Sequence, residues 1–429
     1  MNYKNSLKYL DSFTNYEKTR NYQYNDFYFN LGRIQKILSY FSNPEEKIKN
    51  IIHIAGTKGK GSTSAILSYI LANAGYKIGV YTSPHLVDFR ERIRIIFKKN
   101  SEIIEKKIST KEVIENVEKI KNYLEKYYKS EFGPPTTFEL YTVIAFLYFR
   151  KKNVDFLILE VGMGGRLDAT NVIKNPLLCI ITSLSLDHTK ELGNTLDKIA
   201  YEKAGIIKKG SLVISAPQEK IAERVLRKIA KEKKAKIYFL KKSDYQINYL
   251  SKGGSSFNFG KYKNLFLSLL GEHQIENACL AIKAIEILDK KKIKIGENQI
   301  KDALKNVKWQ GRLQILREKP YVVLDGAHNL ASGKVLKKSL KLFNYRKLFL
   351  ILGMFSDKNI SDFLKEFSDI SSKIILSKIE SPRSATPEEI EKYFKDKNKI
   401  IKVNNLKEAI KVARKISSEK DLILITGSL

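Results

Sequence analysis

Short runs of uninterrupted apolar residues recur along most of the chain, each closed by a glycine-rich or polar turn and followed by a stretch with helical periodicity. That alternation marks strand–loop–helix units whose strands lie largely parallel and are covered on both faces. Residues 51–55 read as such a strand, 56–61 as a loop and 62–74 as a helix, with the next strand at 77–81. The spacing predicts a highly charged helix over 112–128 and an apolar one over 137–151. Residues 155–160 and 177–184 are too continuously apolar to face water on one side, and 211–215 and 236–239 extend the same sheet.

From residue 245 to 270 aromatic and polar residues alternate around Gly253-Gly254, which suggests a small antiparallel ribbon. Helices follow at 274–288 and 297–306. A fresh α/β series then begins, with strands at 321–325, 348–352, 373–377 and 422–426 and helices between them. The expectation is an α/β protein of two domains, residues 1–308 and 309–429, with the boundary at Trp309.

Composition narrows the class. A chain of 429 residues with 43% hydrophobic positions has enough apolar material for two cores. Its two cysteines, Cys179 and Cys279, have no CxxC partner, which suits a reducing compartment and argues against zinc. The polar and aromatic start of the chain has no apolar leader, and no stretch approaches the roughly 18 apolar residues that a membrane span needs. A soluble cytoplasmic protein is expected, with no membrane partner. The net charge of +32 invites a nucleic-acid reading, but the lysines are scattered along the chain and Ile, Asn and Tyr are abundant too. That pattern fits an AT-rich coding bias, whereas nucleic-acid binding concentrates charge on one face.

The strongest local signal is residues 51–63, Ile-Ile-His-Ile-Ala-Gly-Thr-Lys-Gly-Lys-Gly-Ser-Thr. A strand there ends in a glycine-rich turn that opens a helix, so backbone N–H groups and the helix N-terminus can receive phosphate oxygens while Lys60 reaches toward the β/γ region. The spacing departs from GxxxxGK[ST], and an incidental glycine turn is the plain alternative. Residues 155–160 end in Glu160, at a strand terminus where magnesium would find a hard oxygen ligand; many strands end in a merely solvated acid. His188, in Ser-Leu-Asp-His-Thr, follows the strand at 177–184, where an ordinary polar histidine is the plain reading. The three carry more weight together: Gly59/Lys60, Glu160 and His188 all fall just past the C-terminal ends of predicted parallel strands, where open α/β sheets hold their ligands. Lys203 follows on a short helix from Leu196. Weaker clusters are residues 81–86 with Arg90-Glu91-Arg92, the loop from Asp325 to Asn329, and Arg312 at the domain boundary.

The ordered set GTKGKGST, YTSPHL, ERI, EVGMGGRLDATN, LDHT, EKAGI, GR and LDGAHN resembles the folylpolyglutamate synthase/dihydrofolate synthase family of the Mur ligase superfamily, from about residue 24 onward. The resemblance implies a P-loop ATPase domain joined to a smaller Rossmann-like domain, with the active site between them. It implies that Gly59, Lys60, Gly61 and Ser62 hold the ATP phosphates, and that two Mg2+ ions are bound, with Ser83, Glu160 and His188 as ligands. It makes Lys203 the carbamylated lysine that helps bind the second metal. Asn277 would contact adenine or ribose, and Arg312 and Asp325 would approach ATP from the linker and second domain, with His328 as their neighbour. Phe29, Asn30, Leu31, Thr137, Leu167, Asp168 and Ala169 match the region that cradles the pterin. Lys60, His188 and Lys203 are the residues most directly tied to the chemistry.

The implied reaction has a clear physical logic. A carboxylate repels an incoming amine, and phosphorylation by ATP removes that charge and supplies a leaving group. L-glutamate's amine then attacks the acyl phosphate of a dihydropteroate or folate. Closure of the second domain would exclude water from the intermediate. The resemblance implies a monomer with small-molecule substrates and no nucleic acid. Two rivals remain open: a Mur-type peptide ligase of cell-wall synthesis, which usually carries a further N-terminal domain, and a basic nucleic-acid-dependent P-loop ATPase. Dihydrofolate synthase and folylpolyglutamate synthase activity are not separable from the residues. Lys58 departs from the family pattern, where asparagine is usual, and the chain stops at Leu429, where relatives generally continue.

Overall fold

The structure is a computed structural model of the chain in which residues 1–19, 24–25, 28–289, 291, 293–394 and 396–428 are described. These divide into two compact units. The first comprises 1–246, 257–266 and 274–307, and the second 247–256, 267–273 and 308–429.

The first unit is built on eight strands: β1 (Ile51–Ala55), β2 (Ile78–Tyr81), β3 (Ile93–Lys99), β4 (Glu102–Lys107), β5 (Phe156–Glu160), β6 (Leu178–Ile181), β7 (Leu212–Ser215) and β8 (Lys236–Phe239). They are ordered β4-β3-β2-β5-β1-β6-β7-β8. The six strands from β2 to β8 in that order are parallel. The β2/β3 and β3/β4 pairs are antiparallel, so the sheet is mixed at one edge. Every residue of β1, β2, β5 and β6 is buried, as strands covered on both faces must be. One face packs Leu157 and Leu159 against Ile34, Ile37, Val117, Ile120, Ile144 and Phe146 from helices Leu31–Tyr40, Thr110–Lys126 and Thr137–Lys152. The other packs Cys179, Ile181 and Val213 against Ala200, Ala204, Leu226 and Ile229 from helices Leu196–Ala204 and Lys220–Glu232.

The residues 245–270 form three strands, β9 (Tyr245–Ser251), β10 (Gly254–Phe259) and β11 (Tyr262–Leu267), ordered β11-β10-β9. The second unit's own sheet contains β12 (Gln314–Glu318), β13 (Tyr321–Asp325), β14 (Leu348–Gly353), β15 (Ser371–Ser377), β16 (Ile400–Val403) and β17 (Leu422–Gly427), ordered β12-β13-β17-β14-β15-β16. Only β12 runs antiparallel to its neighbour. Side chains alternate across this sheet: Leu348, Leu350 and Leu352 enter one core, Phe349 and Ile351 the other. That period of two fixes the register of a strand buried on both sides.

Most predicted strands lie within a residue or two of those observed. The helix expected from residue 62 begins earlier, at Lys60. Gly59 takes a left-handed φ of 90° and closes the loop at that point, leaving Gly61 and Ser62 in the first helical turn. The strand expected over 177–184 is only Leu178–Ile181. The backbone beyond it turns away to bond the P-loop, with Thr57 N–H donating to the Ser183 carbonyl at 2.9 Å.

Candidate active site

Four neighbouring parallel strands, in the order β2-β5-β1-β6, end on the same edge of the first unit's sheet. Glu160 is the last residue of β5, and past the other strands follow Ser83, the loop 56–59 and the segment Ser185–His188. Open parallel sheets place ligands at this edge because loops from adjacent strands diverge there and helix N-termini face it.

The loop after β1 is fixed at both ends. Thr57 Oγ1 donates to the Ser185 carbonyl at 3.1 Å and Lys60 Nζ to the Gly56 carbonyl at 3.1 Å. A Cβ at Gly59 would collide with Oδ1 of Asn277. Asn277, buried in helix Glu272–Asp289, is also within 3.4 Å of Thr63 Oγ1 and donates to Gln274 at 3.0 Å. The side chain expected near the adenosine therefore lies against the phosphate loop itself. Ser62 is buried in the first turn of helix Lys60–Asn73.

Beside this loop, Ser83 N–H donates to Glu160 Oε2 at 3.3 Å, which puts a buried carboxylate next to a serine. Hard oxygen donors of this kind suit magnesium better than a soft metal. Among the described residues no three His, Cys, Asp or Glu side chains gather into a protein-only metal nest. A small donor set completed by substrate phosphates is the usual form of a magnesium–nucleotide site, and Ser83 with Glu160 fits it. His188 adopts a left-handed φ of 51° at the start of helix Thr189–Leu192. Its ring nitrogen Nδ1 is 3.9 Å from Glu191, with 40% of the side chain exposed.

Lys203 is buried in helix Leu196–Ala204. Burial, reinforced by the positive charge of Lys60, moves its pKa from 10.5 down to about 7. Asp187 and Asp168 oppose that shift and Lys58 adds to it, so these groups share one electrostatic neighbourhood. Lys58 pairs with Asp187 at 3.0 Å, which gives the unusual lysine a partner. Glycines make room for the lysine's helix. Side chains at Gly165 and Gly205 would strike the Glu202 carbonyl and the Arg166 backbone, and Arg166 holds Glu202 at 3.1 Å.

Asp168 and the residues around it form a second focus. Its carboxylate accepts the N–H groups of Thr170 at 3.0 Å and Met163 at 2.9 Å and the Thr170 hydroxyl at 2.5 Å, and burial raises its pKa. Ala169 opens the 3-10 turn that Asp168 caps. Leu167 N–H donates to the Tyr24 hydroxyl at 3.2 Å. The Tyr24 ring is tilted against Phe29 with centroids 4.8 Å apart, and Phe29 lies 4.6 Å from Tyr16. Asn30 caps the helix that Leu31 begins. Leu167 and Phe29, far apart in sequence, therefore meet through Tyr24, a residue passed over in the sequence because one tyrosine among 23 carries no signal. The Thr137 hydroxyl donates to the Leu10 and Phe13 carbonyls at 3.0 Å and 3.1 Å and ties down the N-terminal helix.

In the second unit, Asp325 at the end of β13 accepts the N–H groups of Leu313 and Ala327, both at 2.8 Å. Arg312 and His328 are the immediate chain neighbours of those donors, so one carboxylate fixes the backbone beside both. His328 Nδ1 lies 2.8 Å from the Gly326 carbonyl.

Family models described as "Mur ligase middle domain" and "Mur ligase, glutamate ligase domain" match residues 54–285 and 311–429. The dihydrofolate synthase/folylpolyglutamate synthase of Bacillus subtilis is 35% identical over 407 residues, 93% of this chain and 92% of that protein. A Mycobacterium tuberculosis folylpolyglutamate synthase complexed with ADP and AMPPCP superposes with a TM-score of 0.83 at 29% identity, covering 93% of each chain. An FPGS–AMPPCP–folate complex gives 0.80 at 26% identity, covering 100% of this chain and 97% of the other.

Proposed function

The chain belongs to the folylpolyglutamate synthase/dihydrofolate synthase family of Mur ligases, and on that premise we propose that it joins L-glutamate to a pteroate or folate carboxylate through an acyl phosphate made with ATP. It is an ATP-dependent folate–glutamate ligase of folate metabolism. What supports the finer reading is the shared edge of β2, β5, β1 and β6: Ser83, Glu160, Lys60 and Asp187 sit at or just after adjacent strand ends, and Lys203 on its helix is within electrostatic reach of Lys60 and Asp187.

Gly59, Gly61 and Ser62 present backbone donors of the loop and first helical turn to the phosphates, and Lys60 offsets their charge. Asn277, against the loop at Gly59, contacts the nucleoside. Ser83 and Glu160, with His188, hold magnesium, which when bound adds positive charge opposite the transferring phosphoryl group. Lys203 supports this set as a carbamate. Its pKa of about 7 leaves much of the amine neutral at physiological pH, and only a neutral amine can add to CO2. Phe29, Asn30, Leu31, Leu167, Asp168 and Ala169 hold the pterin, with Tyr24 between the two segments. Thr137 shapes that region by anchoring the N-terminal helix. Arg312, Asp325 and His328 retain the nucleotide-side roles that the family resemblance gives them. Buried, unpaired Cys179 and Cys279 suit the cytoplasm, and the protein acts as a monomer on small molecules.

The test is ADP release by the purified protein with dihydropteroate, dihydrofolate or tetrahydrofolate, each with and without glutamate. Release that needs both the pterin substrate and glutamate is expected, and the substrate preferred assigns the synthase or polyglutamate activity. Release indifferent to both contradicts the reading.

A further inference from the structure

One buried histidine has no part in the roles above, yet it is linked through Thr170 to Asp168. His53 lies in β1 among Ile51, Ile52, Ile54 and Ala55 and is fully buried. Burial moves its pKa down to about 3, so the ring is neutral. Its Nε2 is 2.9 Å from Thr170 Oγ1, and the Thr170 hydroxyl donates to Asp168 Oδ1. A hydroxyl carries one proton. With that proton given to Asp168, the imidazole must supply the hydrogen at Nε2, and Nδ1 becomes an acceptor. Nδ1 is buried and has no hydrogen-bond partner.

We propose that His53 is a positioning residue for pterin-substrate binding: through the Thr170 hydroxyl it fixes the carboxylate of Asp168. The proposal rests on the reading of Asp168 as a substrate contact. Core stability alone does not account for the imidazole, because a buried nitrogen without a partner is a penalty that an isoleucine or leucine would avoid. What the ring adds is direction. A donor chain from N–H to O–H to carboxylate polarises each link and stops the Thr170 hydroxyl from rotating off Asp168. The anchor is rigid, since β1 is paired on both sides and His53 is in register with Leu159 of β5 and Cys179 of β6. The backbone donors of Thr170 and Met163 complete the grip on both carboxylate oxygens.

Four variants of the full chain separate the possibilities: His53→Leu, His53→Gln, Thr170→Val and Asp168→Asn. KM for the pterin substrate, KM for ATP and kcat are read from ADP release, with thermal midpoints alongside. His53→Leu and Thr170→Val should each raise the pterin KM roughly tenfold while KM for ATP stays within about twofold. His53→Gln, whose amide can still donate to Thr170, should restore most of the loss. Thr170→Val is nearly isosteric and carries the test if His53→Leu fails to fold. If Asp168→Asn raises the pterin KM and the relay variants do not, the inference falls and the reading of Asp168 stands. If both KM values rise in step with a lowered midpoint, the run is structural and the inference is again overturned. A normal pterin KM in Asp168→Asn would remove the underlying reading, and the inference with it.

Discussion

A lysine amine that is half neutral near pH 7 is a different reagent from one that is charged to pH 10, and Lys203 is of the first kind. Below about pH 7 the folded protein must bury a charge, whereas the unfolded chain bears it at no cost. The penalty is therefore full in acid and disappears as pH rises through the ordinary value of 10.5. Chemistry follows the same sign. Activity should climb from about pH 6 to about pH 8 and rise with added bicarbonate as the neutral amine becomes available to carbamylate. Lys203→Ala should be inactive and partly rescued by a short carboxylate, and a carbamate signal from 13C-bicarbonate should be lost with the lysine. Indifference to bicarbonate together with no carbamate signal would count against the assignment. Lys60→Ala and His188→Ala should abolish glutamate-dependent ADP release with unchanged thermal midpoints; normal release by both would contradict their roles. At this scale motifs singled out Lys60, Glu160 and Lys203, and the structure sets Lys203 within electrostatic reach of Lys60. The sequence was silent where a contact joins residues far apart along the chain. The Arg33–Glu139 ion pair, buried at 3.0 Å, and the contact of Tyr24 with Leu167 each join segments more than a hundred residues apart.

Elements were readable where an apolar run stands between turn signals, and burial alone did not decide it: β6 is fully buried yet shorter than expected, whereas β8 is exposed or half-buried and matches. β1, β8 and β13 match their expected bounds because apolar runs between turn signals define them. Strands β3 and β4 were not anticipated: Arg94 and the lysines interrupt the apolar pattern of the first, and the second is an exposed edge with its charges in water. Helix Tyr3–Asp11 was missed for a similar reason, since only Ser6 and Leu10 of it are buried. The early start of helix Lys60–Asn73 depends on one glycine, which gives a controlled prediction. Gly59 and Gly75 both have positive φ, 90° and 96°, but only at Gly59 would a Cβ meet another group, Asn277. Gly75→Ala should lower stability by about 1 kcal/mol through backbone strain alone and leave ATP affinity unchanged. Gly59→Ala should weaken ATP binding tenfold or more, about 1.4 kcal/mol, as measured by titration calorimetry. Equal effects of the two on ATP affinity would contradict the placement of the loop against Asn277.

For the whole molecule, the sheet order β2-β5-β1-β6 makes neighbours of residues far apart along the chain, such as Ile51 with Leu157 and Ile52 with Leu178. Strand order of this kind is a long-range property that local pattern does not encode. Each unit also carries a histidine that its surroundings keep neutral, the fully buried His53 in the first and the half-buried His273, whose Nδ1 is enclosed, in the second, with pKa values moved down to about 3 and about 4. Below pH 6.5 the unfolded chain takes up protons that these rings cannot, so stability should fall as pH drops from about 6.5 toward 3. Together they weigh several kcal/mol against folding in acid. Denaturant titrations at pH 7 and pH 5 should show the loss, and His53→Leu should reduce it; an unchanged pH dependence would contradict the buried neutral ring. The net charge of +32 is spread across the chain, and nucleic acid should not stimulate ATP hydrolysis.

The most direct measurement follows an oxygen atom. A pterin substrate labelled with 18O in its free carboxylate is turned over with ATP and glutamate, and the released phosphate is examined by 31P NMR. Activation through an acyl phosphate requires one labelled oxygen to leave with the phosphate in every turnover, and that transfer is the expected result. Phosphate carrying no label, alongside glutamate-dependent product, would contradict the account.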